Sequence, residues 1–259
     1  MPQMKKFVKC KVKEIHFPSS EYIHLKLQIF SKNFNPFPGQ FVMLSKDDFD
    51  QTFPRPFSIF NFEKNGLELL IKKVGKITKK ISELKKGDTL NILGPLGNFF
   101  QKKENILLVA GGYGIAPIYF YLKKYKNLKN LKLFYGGKSK KDILFMKEIE
   151  KLLDKNSIFI TTEDGSFGEK GLVVKPLINF LKNNGKNFAI YSCGPLSLFK
   201  SLNKISKKNA LKLYTSMDPL MACGFGVCLA CAIPTKLGNL CACTEGPIFD
   251  SSIIDWEKL

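Results

Sequence analysis

The chain has 259 residues, 44% of them hydrophobic and 24% charged. That is enough for two domains with a small third, and it excludes disordered, collagen-like and purely coiled-coil chains. Seven cysteines are too sparse for a secreted disulfide scaffold. The formal charge of +19 comes from lysines spread along the whole length, with no block that would form a basic arm. Such a charge speaks to solubility and nonspecific binding, so neither nucleic acid nor membrane is expected as a partner.

Met1–Phe17 carries lysines but no apolar stretch or small-residue cleavage site, so no leader is expected. Val8, Cys10 and Val12 alternate with Lys9, Lys11 and Lys13, and Ile23, Leu25, Leu27 and Ile29 alternate with His24, Lys26 and Gln28. This period of two marks half-buried antiparallel strands. Cys10, His16 and His24 fall in or beside these strands and read as ordinary barrel residues. Further short strands are expected at Gln40–Leu44, Pro56–Phe60, Leu67–Lys72 and Thr89–Leu93, with one short helix at Ile77–Leu84. Many short strands with a single helix predict a closed barrel.

The period then changes. Ile106–Ala110 is a continuous apolar run, as in a parallel strand covered on both faces. Helices at Ala116–Lys126, Lys141–Leu153, Val173–Asn183 and Leu196–Lys207 alternate with strands at Leu131–Tyr135, Ser157–Thr161, Phe188–Tyr191 and Leu211–Thr215. That alternation predicts an α/β parallel sheet. Ser216–Leu259 is cysteine-rich and loop-like. Two uncharged runs, Ile106–Leu122 and Pro219–Thr235, are each shorter than the roughly 20 apolar residues of a membrane span. A cytoplasmic protein is expected.

Five of the seven cysteines fall between positions 223 and 243. Cys223, Cys228 and Cys231 have the spacing C-x4-C-x2-C, and a fourth thiolate is available at Cys241 or Cys243. This is the plant-type [2Fe–2S] spacing, with Gly224 and Gly226 allowing close backbone approach to the sulfurs. Structural zinc and buried free thiols are the alternatives. Ala110–Pro117, AGGYGIAP, follows an apolar strand and precedes a helix, the context of a phosphate loop. Gly112 and Gly114 would let the backbone approach a pyrophosphate at the helix N-terminus. The pattern is G-x-G-x-x-P, and the next strand ends in Phe134, Tyr135, Gly136 and Gly137 without the acidic residue of the full dinucleotide fingerprint. Arg55–Ser58, RPFS, offers an arginine beside a hydroxyl, a pair able to hold a phosphate and hydrogen-bond a ring nitrogen.

The order of RPFSI, GPLGNFF (Gly94–Phe100), AGGYGIAP, TEDGSFG (Thr162–Gly168), SCGP (Ser192–Pro195) and a C-terminal cysteine loop resembles the ferredoxin reductase family over nearly the whole chain. MACGFGVCLAC (Met221–Cys231) and CTEGPIF (Cys243–Phe249) narrow the resemblance to the electron-transfer subunits of type B dihydroorotate dehydrogenase. It implies an α+β multidomain protein: an antiparallel β-barrel FAD domain over 1–102, an α/β parallel-sheet NAD domain over 103–215 and a small [2Fe–2S] loop domain over 216–259.

By the same resemblance Arg55, Pro56, Phe57 and Ser58 would line the flavin, Leu70, Ile71 and Lys72 would continue that wall, and Thr78 would help bind the FAD diphosphate. Ile77 stands where the family usually has glycine. NAD would be held by Gly112 and Gly114, with Cys193, Gly194 and Pro195 near the nicotinamide. Cys223, Cys228, Cys231 and Cys243 would be the cluster ligands and Cys241 a bystander. The family further implies that dihydroorotate is oxidised at an FMN in a separate catalytic subunit. Electrons would pass through the cluster to FAD and then to NAD, in a heterotetramer of two catalytic and two electron-transfer subunits. No nucleophile–base–acid constellation is present in the motifs. Two rivals are a flavin subunit coupling NAD(P)H to ferredoxin, sulfide or a hydrogenase, and a zinc-stabilised nucleic-acid-binding protein. The second leaves RPFSI and AGGYGIAP unexplained.

Overall fold

The computed structural model describes residues 7–31, 33–184 and 187–259; the first six residues of the segment searched for a leader lie outside it. Six strands form the first body: β1 (Phe7–Ser19), β2 (Tyr22–Ile29), β3 (Phe41–Ser45), β4 (Arg55–Glu63), β5 (Gly66–Lys72) and β6 (Thr89–Leu96). They close into an antiparallel barrel in the order β1-β2-β5-β4-β3-β6. The alternation in β1 and β2 has its expected cause: Cys10, Val12, Ile23, Leu25, Leu27 and Ile29 point into the barrel core, while Lys9, Lys11 and Lys13 face solvent. The short helix α1 (Lys76–Ser82) plugs one end of the barrel with Ile77 and Ile81.

The second body runs β7 (Asn105–Gly111), α2 (Ile115–Lys124), β8 (Asn130–Gly137), α3 (Met146–Glu150), β9 (Ile158–Thr162), β10 (Glu169–Lys170), α4 (Val174–Asn184), β11 (Ala189–Cys193), α5 (Leu196–Asn209) and β12 (Lys212–Ser216). Its strands lie parallel in the order β10-β9-β8-β7-β11-β12. The chain winds outward from β7 through β8 to β10, then returns to β11 on the other side. The crevice between the ends of β7 and β11 is therefore a topological switch point, where open α/β sheets bind ligands.

Two expectations need revision. The helix predicted over Lys141–Leu153 is a 3-10 turn at Lys140–Asp142 followed by the shorter α3, because Phe145 adopts a left-handed φ of 59°. Asp142 is pinned there. Its carboxylate accepts from the backbone N–H groups of Lys138 and Ser139, and its carbonyl accepts from the Tyr135 hydroxyl. The segment after Ser216 is also more ordered than loop. It holds a hairpin of β13 (Ala232–Thr235) and β14 (Gly238–Cys241), and then β15 (Ile248–Asp250), which joins the large sheet antiparallel to β12. These strands are three or four residues long, too short to print a period of two.

The bodies are packed, not tethered. Phe60 of β4 stacks on Tyr119 of α2 with ring centroids 4.2 Å apart, and Tyr22 donates to Asp142 Oδ1 at 2.9 Å across the barrel–sheet boundary. A separate apolar core joins Phe41, Met43, Leu93 and Leu96 of the barrel to Phe199 of α5 and to Met221, Cys231, Ala242 and Cys243. At the junction of all three segments stands Asn98. Its Nδ2 donates to the carbonyls of Glu245 and Ile248, both at 2.8 Å, and its Oδ1 accepts from the Ile248 N–H at 2.9 Å. Its own N–H donates to the Gly246 carbonyl at 2.6 Å.

Replacing Asn98 by alanine removes three hydrogen bonds and strands the backbone groups of Ile248, at a cost of about 3 kcal/mol. Scanning calorimetry should then show the melting midpoint lowered by roughly 6–12 °C. An unchanged midpoint would mean that the junction is held by packing alone.

Candidate functional site

A cavity of about 340 Å³ opens at the switch point. Gly111, Gly112 and Tyr113 form one wall and Pro195, Ser197 and Leu198 the opposite one. Its outer end is made by Gly136, Gly137, Lys138, Thr161 and Glu163, at the carboxyl ends of β8 and β9. The Gly112–Gly114 turn leads from this wall into the N-terminus of α2, whose dipole end is positive. Gly112 lines the cavity, but Gly114 does not; it lies beneath the loop. A Cβ at Gly114 would sit 2.2 Å from the Cys193 carbonyl oxygen, so only glycine lets the loop press against β11. Gly194 packs similarly against Gly111 behind the wall. Thr161 Oγ1 is buried at 1% exposure and lacks a hydrogen-bond partner among the described residues. A buried unsatisfied hydroxyl in a cavity wall is what a polar ligand would repair.

A second cavity, about 640 Å³, lies between barrel and sheet. Arg55, Pro56, Phe57 and Ser58 of β4, Leu70, Ile71 and Lys72 of β5, and Ile77 and Thr78 of α1 all line it, with Cys193 across from them. Nine residues expected around the flavin thus share one cavity, and the volume suits a large cofactor. Antiparallel pairing does this: β4 and β5 are neighbours in the barrel, and the Val74–Thr78 loop leaves directly from β5. Thr78, expected to help bind the FAD diphosphate, lines this cavity and also orders its own loop. Its hydroxyl accepts from the N–H groups of Val74 and Gly75 at 2.9 and 3.0 Å, closing the loop on itself. Arg55 anchors one guanidinium nitrogen to the Phe53 carbonyl at 2.7 Å and keeps further donors free for a ligand. Ser216, Met217, Asp218, Pro219, Leu220 and Met221 complete the far wall. Burial pushes the Cys193 thiol up to about 12, with Asp218 adding to it, so this residue is a neutral packing group and not a nucleophile.

The far wall runs directly into the cysteine loop. Cys223 lies against Cys228, and Cys231 lies against both Cys243 and Cys241, so five thiols gather in this segment. Among the described residues no three such side chains converge as around a single ion. A two-iron core takes four thiolates, two on each iron. Gly224 and Gly226, with φ of 76° and 80°, turn the loop so tightly that a Cβ would meet Met43 and Thr244 at 2.9 Å. Burial works against the Cys223 thiolate, but the N–H groups of Cys228, Phe225 and Val227 outweigh it and bring the thiol down to about 6. Buried Cys243 is pushed up to about 12, with Cys231 adding to the effect of burial. Cys241 also touches Cys231, while its N–H donates to Glu245 Oε2 at 2.7 Å in the turn that positions Cys243.

Lys138, which the sequence offers as a group able to meet a 2′-phosphate, lines the smaller cavity, whereas Glu163 and Asp142 there were missed by sequence reasoning. The search for an acidic residue stopped at the end of β8, whereas Glu163 follows β9. His24, read as an ordinary barrel residue, is buried against Glu68 at 2.7 Å and packs edge-on to Phe60 and Phe145.

Three family descriptions match the chain in succession. They are an oxidoreductase FAD-binding domain over 8–101, an oxidoreductase NAD-binding domain over 108–204, and the iron-sulfur cluster binding domain of dihydroorotate dehydrogenase B over 218–255. The dihydroorotate dehydrogenase B (NAD(+)) electron transfer subunit of Caldanaerobacter subterraneus subsp. tengcongensis is 36% identical over 225 residues, covering 84% of this chain and 87% of that one. The protein of the same name from Clostridium acetobutylicum is 37% identical over 221 residues, covering 82% and 83%. Among solved structures, that of an NADH-dependent reduced ferredoxin-NADP oxidoreductase, described for flavin-based electron bifurcation, superposes with a TM-score of 0.84 at 26% identity, covering 96% of this chain and 91% of that one. With its FAD, NAD and iron–sulfur domains, the chain belongs to the family of dihydroorotate dehydrogenase B electron transfer subunits.

Proposed function

We propose that this chain carries electrons away from dihydroorotate, which is oxidised on a separate FMN-containing catalytic subunit in pyrimidine biosynthesis, and delivers them to NAD. The observation that carries the reading is the order of the three sites. The larger cavity touches the smaller one at Tyr113, and on its far side Met221 lies two residues before the first thiol, Cys223. When bound, a flavin converts between hydride and single-electron transfer, and a [2Fe–2S] cluster moves single electrons; the middle place therefore suits the flavin.

The protein's own groups supply position and charge. Arg55 would meet the FAD phosphates and Ser58 the flavin ring, and Leu70, Ile71 and Lys72 hold the ring's other edge. Thr78 acts as a positioning residue by fixing the Val74–Thr78 loop. Gly112 and the start of α2 would bind the NAD pyrophosphate, with Pro195 opposite and the neutral Cys193 beside the meeting point of the rings. Glu163, at the end of the cavity away from the flavin, is placed to accept from the adenosine ribose 2′-hydroxyl and to repel a 2′-phosphate. Cys223, Cys228, Cys231 and Cys243 would hold the cluster, and the Cys241–Gly246 turn aims the last of them.

The partner's place follows from the loop's outer face. Phe225, Val227 and Leu229 stand out into solvent around exposed Cys228, and Leu220 is 88% exposed. Apolar side chains grouped at a redox centre suit a buried contact with the catalytic subunit. Two catalytic and two electron-transfer subunits form the assembly we propose. A thiolate-ligated cluster and a nicotinamide pool point to the cytoplasm, where thiols stay reduced. The likeness to the ferredoxin-NADP oxidoreductase keeps a second reading in view, in which the single-electron partner is another redox protein.

An anaerobic visible spectrum separates the two. NADH should bleach the flavin and cluster bands of the chain alone. Dihydroorotate should bleach them only with the catalytic subunit present, and a complex bleached by NADH but not by dihydroorotate would favour the second reading. For the ligand set, Cys243→Ser should lose most of the bound iron and Cys241→Ser should keep it. Cluster loss on Cys241→Ser alone would overturn the assignment. For cofactor choice, Glu163→Gln should improve the use of NADPH relative to NADH by roughly tenfold, about 1.4 kcal/mol. An unchanged ratio of kcat/KM values would place the discrimination elsewhere.

A further inference from the structure

Among the described residues, Tyr113 and Lys72 alone line both cavities. They form the partition between the chamber assigned to NAD and the chamber assigned to the flavin. Hydride transfer needs the reacting atoms within about 3–3.5 Å, so a nicotinamide anchored at the Gly112 loop has to cross that partition.

The two halves of the partition differ in how they are held. Lys72 is fastened: its ammonium is 3.4 Å from Glu21 Oε2, 3.8 Å from Asp142 Oδ1 and 5.3 Å from the centroid of the Tyr22 ring. Tyr22 itself donates to Asp142, which three backbone contacts hold in place. Tyr113 has none of this. Its ring is 47% exposed, and among the described residues its hydroxyl has no hydrogen-bond partner and its ring no aromatic neighbour. It sits alone on a 3-10 turn between Gly112 and Gly114, neither of which has a side chain to confine it. The other aromatic residues near the crevice, Tyr22, Tyr119 and Tyr191, are all hydrogen-bonded or stacked. Tyr113 shares the lining of the larger cavity with Cys193 and Asp218.

We infer that Tyr113 is a movable partition, a positioning residue whose ring closes the flavin chamber when no nicotinamide is present and is displaced when the nicotinamide enters. This rests on the cofactor assignments made above. The closed position has two consequences. Nicotinamide binding is weakened by the need to open the partition, because affinity falls with the fraction of molecules that are competent. The closed ring also shields a reduced flavin from dissolved oxygen, to which it would otherwise give two electrons, producing hydrogen peroxide with protons taken from solvent.

The test uses the FAD-loaded complex with its catalytic subunit, and compares native protein with Tyr113→Ala, Tyr113→Val and Tyr113→Phe. Equilibrium dissociation constants are measured for NAD and for ADP-ribose, which has the same phosphates and adenosine but no nicotinamide ring to displace the tyrosine. Loss of the ring should tighten NAD binding about five- to tenfold and leave ADP-ribose unchanged. Peroxide release in air, with NADH as reductant, should rise several-fold. Tyr113→Phe, which keeps the ring, should behave as native. The valine variant gives the same reading if the alanine variant fails to fold. An NAD to ADP-ribose affinity ratio that stays constant across all variants would overturn the partition while leaving the cofactor assignment intact. If the native complex bound neither ligand, or if Glu163→Gln and Gly112→Val left both unaffected, the assignment of the smaller cavity would fall, and the partition with it.

Discussion

Three sites that exchange electrons have to be held at fixed separations, and in this chain one residue, Asn98, bonds the segments at their junction. Asn98 follows the last barrel strand, and its four hydrogen bonds reach the turn beside Cys243 and the first residue of β15. The barrel carries one wall of the larger cavity, the turn leads out of Cys243, and β15 belongs to the sheet that carries the smaller cavity. Few single residues can register three bodies at once. An amide does so because it both donates and accepts, and so can satisfy backbone groups of either kind.

Around this junction, rigidity and freedom are unevenly distributed. The barrel–sheet boundary is locked by the Tyr22–Asp142–Lys72 group and by the stack of Phe60 on Tyr119. The cluster loop is pressed onto the barrel through Gly224 and shares an apolar core with it. Against that background the looseness of Tyr113 is local. Preorganised sites position their ligands with little reorganisation, and an unpinned ring, Tyr113, lies where the two cavities meet.

Much of this was legible in the sequence, for reasons that differ by region. The β1 alternation works because one face of the strand is buried and the other wet, whereas in β2 the polar face is itself half covered, with His24 buried. The run Ile106–Ala110 works because both faces of β7 are covered. The C-x4-C-x2-C spacing is informative because a cluster in a tight loop restricts the intervals between its ligands. What escaped were contacts whose partners are far apart along the chain. Tyr22 and Asp142 are 120 residues apart, and Asn98 and Ile248 are 150 apart, and no local pattern marks them. Glu163 escaped because the dinucleotide rule looks to the end of the next strand, while this cavity-lining acid follows the strand after it. The shortened α3 reflects a demand of tertiary structure, since holding Asp142 in the cavity wall overrides the helical pattern of its neighbours.

The antiparallel edge strand has a bearing on how the protein is assembled. The chain leaves the sheet at the end of β12, makes its excursion through the cysteines and the small hairpin, and returns as β15 to pair with the strand it left. Ser216 faces Ile248 across that pairing, so the excursion begins and ends at adjacent points of one scaffold. A loop whose ends are already fastened together costs little more to close when residues are added to it. The pairing of β12 with β15 therefore ties both ends of the cysteine segment to the sheet by backbone hydrogen bonds. In small zinc domains metal binding drives the folding of the chain. Here the segment has a scaffold of its own, and its first residues, Ser216–Met221, also wall the larger cavity, so a change there would be felt in that chamber.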